Sequence, residues 1–134
     1  MEKIASDLHP IRVMLVEDEF LISEWVAETL SDHGFAVRTA TNAVDALRQI
    51  MLAPVDVLFT DINLPGVMDG AALARRVREL LPDLPVVYAS GRVNMLDSKQ
   101  RVPGSAFVAK PYAPELVAQL LADTVRATAE RVPA

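Results

Sequence analysis

Five short apolar runs, separated from one another by stretches of helical periodicity, constrain this chain more than any other feature. Ile11 to Val16, Val55 to Thr60 and Pro85 to Ala89 have the composition of strands buried on both faces, and Ala36 to Ala40 and Ala106 to Ala109 are weaker versions of the same pattern. The intervening segments change period. Ile22, Trp25, Val26 and Leu30 form one helical stripe closed by Gly34, and Ala43, Ala46, Leu47 and Ile50 form another behind Asn42 as its cap. Leu73, Val77, Leu80 and Leu81 lie between Gly70 and Pro82, and a last helix starts at Pro114 with Leu116, Val117, Leu120, Leu121 and Val125. Strand and helix in strict alternation imply parallel strands, right-handed crossovers and helices on both faces of one sheet. The fold class expected is therefore α/β, a flavodoxin-like doubly wound sheet of five parallel strands in the order 2-1-3-4-5. From Gly91 to Ser105 the apolar stripe fades and Pro103-Gly104 ends any helix, so a fourth helix there is expected to be short or irregular.

At 134 residues and 51% hydrophobic the chain is sized for one domain, which we place at 10–127, with tails at 1–9 and 128–134. There is no cysteine, which removes disulfides, thiolate nucleophiles and cysteine metal sites. His9 and His33 have no neighbouring ligand in sequence. A net charge of −5, with no basic cluster longer than Arg75-Arg76, argues against nucleic acid as a partner. No apolar run approaches the roughly 18 to 20 residues of a membrane span, and the first residues lack a signal peptide's order, so a cytoplasmic location is expected.

The polar residues fall where the apolar runs stop: Val16-Glu17-Asp18, Thr60-Asp61, Ala89-Ser90-Gly91 and Ala109-Lys110-Pro111. In a doubly wound sheet ligands bind outside the carboxyl ends of the strands, where the strand order reverses, here between the first and third strands. Glu17, Asp18 and Asp61 would then be neighbours. Carboxylates about 4 Å apart repel by roughly 4 kcal/mol per pair at an effective dielectric of 20, and a divalent cation is the simplest relief. Oxygen ligands without histidine or cysteine select Mg²⁺ over zinc or copper.

These motifs together, Val16-Glu17-Asp18-Glu19, Asp61-Ile62-Asn63-Leu64-Pro65-Gly66, Ser90-Gly91 and Lys110-Pro111-Tyr112, resemble the receiver domain of bacterial two-component response regulators over about residues 11–125. The resemblance implies that Asp61 accepts a phosphoryl group from a histidine kinase or phosphotransfer protein. It also implies that Asp18, Asp61 and the backbone carbonyl of Asn63 ligate Mg²⁺, with Glu17 acting through water. Ser90 and Lys110 would hold the phosphoryl oxygens, and Ser90 with Phe107 would form the switch. Asn63 and Arg92, each two residues beyond a site residue, are expected to modulate phosphoryl lifetime. The chain is then a signalling module and not an enzyme, acting on a downstream protein that the sequence does not identify, with homodimerisation left open. The loop Leu64 to Gly70 is one residue longer than the commonest receiver spacing, and the Pro-Gly-interrupted stretch before Phe107 departs from the family's usual output face. The alternative is a Mg²⁺-dependent phosphohydrolase or nucleotide-binding enzyme using the same carboxylates. Against it, no phosphate-binding glycine loop follows the first strand, and no second aspartate lies two residues after Asp61. Asp69 reads as a helix cap, and Trp25 and Met14 as packing residues.

Overall fold

The computed structural model describes residues 9–91 and 101–131. Its elements are β1 (Arg12–Val16), α1 (Phe20–Asp32), β2 (Ala36–Ala40), α2 (Ala43–Leu52), β3 (Val57–Asp61), α3 (Gly70–Leu80), β4 (Val86–Ser90), β5 (Ala106–Ala109) and α4 (Pro114–Arg131). The five strands form one parallel sheet in the order β2-β1-β3-β4-β5, as the alternation requires. Two boundaries differ from the sequence reading in a way that matters for the site. Asp61 and Ser90 are the last residues of β3 and β4, in register with Ala89 and Ala109, and so are held by the sheet itself. At the other end α4 runs on to Arg131, past the expected boundary at 127. Of the segment expected to hold a short or irregular fourth helix, residues 92–100, Arg92 among them, lie outside the described residues, and its described part at 101–105 is bend and turn. Residues 1–8 and 132–134 of the two tails also lie outside them.

Strand alternation sends successive side chains to opposite faces. On one face Val13, Leu15, Val57, Phe59, Val87 and Ala89 pack with Val26 and Leu30 of α1 and Val117 and Leu121 of α4. On the other, Met14, Val16, Leu58, Val86 and Tyr88 pack with Ala46 and Ile50 of α2 and Leu73 and Val77 of α3. Local signals set the helix ends. The side chains of Asn42 and Asp69 accept hydrogen bonds from the backbone N–H groups of Asp45 and Ala72, each at 2.8 Å, capping α2 and α3. Gly34, at φ 93°, ends α1 in the left-handed conformation, while Phe35 N–H donates back to the Leu30 carbonyl. Trp25 departs from expectation. It is 55% exposed, because the apolar stripe of α1 is wider than the face the sheet covers, and only Val26 and Leu30 of that stripe are fully buried. Met14 is in the core as expected.

The amino end of the sheet is closed by an ion pair. Arg12 Nε and Nη2 donate to the two carboxylate oxygens of Asp56 at 2.9 and 3.0 Å, its backbone N–H donates to Oδ2 at 2.8 Å, and Asp56 N–H donates to the Arg12 carbonyl. That exchange turns Asp56 toward β1 and delays the start of β3 to Val57. Partial burial pushes the Asp56 carboxyl up, but the Arg12 hydrogen bonds and charge outweigh it and hold it below its ordinary 3.8. A depressed carboxyl stabilises the fold above the unfolded-state value, and that contribution is lost as pH falls through the lowered folded value. Asp56→Asn is expected to cost about 1 kcal/mol in urea unfolding at pH 7, with the gap to wild type closing below about pH 4. A gap that stays constant down to pH 2 would assign the loss to packing instead of charge.

Candidate functional site

The strand order brings the carboxyl ends of β1 and β3 together, and Glu17, Asp18 and Asp61 offer carboxylate oxygens that all lie within 4.8 Å of one another. Glu17 and Asp61 are buried and Asp18 is exposed, so the cluster opens to solvent on the Asp18 side. Glu17 is oriented by Glu19 N–H, which donates to its Oε2 at 3.1 Å. Asp61 Oδ1 receives the Asn63 N–H at 3.4 Å, a long contact that leaves this oxygen open to another partner.

Lys110 completes the pocket from the end of β5. Its Nζ donates to Glu17 Oε1 and to Asp61 Oδ2, both at 2.9 Å, across 93 and 49 residues of sequence. With its side chain 20% exposed, it is not the free surface lysine that a position before proline would permit. Burial works against the ammonium, but the hydrogen bonds to Glu17 and Asp61 and their charges outweigh it. Lys110 is therefore held above its ordinary range and stays protonated. Two carboxylates and one ammonium are thus paired while a third carboxylate stands at the rim. The remaining oxygens form a hard donor set, without nitrogen or sulfur, that fits a Mg²⁺-sized ion.

Ser90 is fully buried at the end of β4 and makes interactions of its own within the structure. Phe107 is half-buried on β5, in register with Tyr88, and packs on the α2/α3 side of the sheet. The sheet therefore divides the sequence-derived residues. Asp61 and Lys110 meet beyond the Phe59 and Val108 rows, whereas Phe107 lies on the opposite face beside Tyr88. Asn63 is exposed at the rim.

Tyr112, Pro111 and Gly91 stand in the sequence motifs without a role assigned to them. Tyr112 packs against Phe59, with ring centroids 5.7 Å apart and planes at 57°. Burial, then the nearby Glu17 carboxylate, pushes its hydroxyl up to about 12, so it stays neutral beside the acidic pocket. Tyr112, Lys110, Pro111 and Gly91 line a largely apolar groove of about 390 Å³ with Ile22 and Trp25 of α1. Trp25, left uncovered by the sheet, forms one wall of this groove, which its helical spacing could not reveal.

Residues 13–122 match the family model described as the response regulator receiver domain. Among curated proteins, the chain is similar to the C4-dicarboxylate transport transcriptional regulatory protein DctD of Rhizobium meliloti, 32% identical over 80% of this chain and 24% of that protein. It is also similar to the sensor histidine kinase RcsC of Escherichia coli, 30% identical over 90% of this chain and 13% of that one. The chain thus spans a quarter or less of the length of these relatives. Among solved structures, a response regulator receiver protein from Sinorhizobium medicae superposes with a TM-score of 0.84 at 28% identity, covering 90% of this chain and 98% of that one. The chemotaxis response regulator CheY4 of Vibrio cholerae does so at 0.78 and 27%, covering 86% and 98%.

Proposed function

This chain belongs to the response regulator receiver domain family, and from that premise we propose that it is a two-component signalling switch that accepts a phosphoryl group on Asp61. The observation that carries the assignment is the convergence of the Lys110 ammonium on Asp61 and Glu17, with Asp18 completing the carboxylate cluster. In the proposed step a carboxylate oxygen of Asp61 attacks the phosphorus of a phosphohistidine. An O–P bond forms, the N–P bond breaks, and its electron pair leaves with the imidazole. Such a transition state is loose and needs positioned positive charge more than acid or base catalysis. Mg²⁺, which Asp18, Asp61 and the Asn63 carbonyl would hold directly and Glu17 through water, would supply part of that charge when bound. Lys110 and Ser90 supply donors to the transferred oxygens. Because Lys110 already contacts Asp61 Oδ2, the more open Oδ1 beside Asn63 N–H is the better placed nucleophile.

The donor is a histidine kinase or phosphotransfer protein. To reach Asp61 it must cover the rim, and the groove between Trp25 of α1 and Pro111-Tyr112 offers an apolar seat next to Lys110. The receiver then acts through a downstream protein, with Ser90 and Phe107 as the switching pair and Asn63 and Arg92 tuning how long the phosphoryl group lasts. Incubation with acetyl phosphate and Mg²⁺ is expected to add the mass of one phosphoryl group per chain. Chelation of the cation should block the gain, and hydroxylamine, which cleaves acyl phosphates, should remove it. No gain of mass, or a gain indifferent to chelation, would refute the reading.

A further inference from the structure

We propose that Thr60 is a positioning residue for Asp61, its hydroxyl fixing the peptide from which the phosphoacceptor side chain projects. Thr60 is wholly buried next to the end of β3, in register with Tyr88. A hydroxyl there disfavours burial unless it is hydrogen-bonded, and valine would fill the same volume without that demand. The hydroxyl donates to the backbone carbonyl of Asp61 at 2.9 Å.

The same carbonyl is walled in from α3. A Cβ at Gly70 would stand 1.9 Å from the Asp61 oxygen, 2.8 Å from its carbon and 2.9 Å from the Ile62 Cα, so only glycine admits this approach. Gly70 N–H also donates to the Ile62 carbonyl at 2.8 Å, and Ile62 N–H donates to the Ala89 carbonyl at 2.9 Å. The Asp61–Ile62 peptide is therefore fixed on several sides: Thr60 holds its oxygen, Gly70 limits that oxygen's travel, and β4 holds its nitrogen. The Asp61 carboxylate must meet Lys110 at 2.9 Å while staying within 4.8 Å of the Glu17 and Asp18 oxygens. Tilting the peptide would swing the side chain out of that arrangement, and reactive geometry tolerates little misplacement.

This inference rests on Asp61 being the phosphoacceptor. Its test compares wild type, Thr60→Val and Thr60→Ser in the rate of Mg²⁺-dependent phosphoryl uptake from acetyl phosphate, at a temperature below all three melting points. Valine keeps the shape and loses the hydroxyl; serine keeps the hydroxyl and loses the buried methyl. Both variants should melt earlier than wild type. Only Thr60→Val should be slowed, by about 2- to 10-fold, as expected for one lost hydrogen bond, while Thr60→Ser stays within about twofold of wild type. Equal rates for Thr60→Val and wild type, or equal slowing by both substitutions, would overturn the proposal and leave a packing role only. Failure of the wild type itself to take up phosphate would overturn the Asp61 assignment and the proposal together.

Discussion

Asp61→Asn is expected to gain no phosphoryl mass from acetyl phosphate under conditions where the wild type gains one group. The amide has no nucleophilic carboxylate oxygen, and neither Glu17 nor Asp18 substitutes for it. Glu17 Oε1 and Oε2 are taken by Lys110 Nζ and Glu19 N–H, and Asp18 lies on the exposed side of the cluster. The fold should survive the change. One carboxylate fewer relieves repulsion within a cluster whose oxygens lie within 4.8 Å, and the asparagine oxygen can still accept from Lys110. Without a divalent cation the variant should melt at or above the wild-type temperature, and added Mg²⁺ should raise its melting point less than that of wild type. A variant that takes up phosphate as readily as wild type would remove Asp61 from the mechanism.

Lys110→Ala should have the largest effect on stability. The substitution leaves Glu17 and Asp61, whose side chains are 3% and 9% exposed, facing each other without the cation that bridges them at 2.9 Å. Stranding buried charges in this way costs about 3–5 kcal/mol, which for a domain of this size lowers the melting temperature by something on the order of 10 °C in chelator. On the proposed reading Mg²⁺ binds the same carboxylates, so it should recover much of that loss in Lys110→Ala while shifting wild type only modestly. Even with the cation restored, phosphoryl uptake should remain slower by about 100-fold, because a fixed donor to the developing charge is gone. Matching melting curves in chelator, or an equal Mg²⁺ shift in both proteins, would show that Lys110 does not neutralise the pocket.

The sheet was legible because its signal is periodic. The runs at Ile11 to Val16 and Val55 to Thr60 and the stripes at Ala43 to Ile50 and Leu73 to Leu81 each repeat with the spacing of the element they form. The acidic cluster followed once strand order was known, since the crossover rule places Glu17, Asp18 and Asp61 at one edge. What stayed hidden depends on distance between elements and has no spacing to announce it. Gly70 reads in sequence as a helix start, and only its contact with the Asp61 carbonyl shows why a larger residue is excluded. Thr60 looks like any β-branched strand residue until its hydroxyl is placed on the next carbonyl. Lys110 could be assigned to the site by resemblance, but its simultaneous grip on two carboxylates belongs to the folded chain alone. Trp25 misled for the converse reason: helical spacing marks it as apolar-facing without saying that the sheet leaves it uncovered.

The pleat that points Phe59 toward α1 and α4 and Tyr88 toward α2 and α3 works as a partition wall. On the proposed reading, a donor seated over Trp25 and Lys110 would work on one side of it, and a switch at Phe107, beside Tyr88, on the other. Genetic lesions should sort accordingly, with one class starving the protein of its charge and another leaving it loaded but mute.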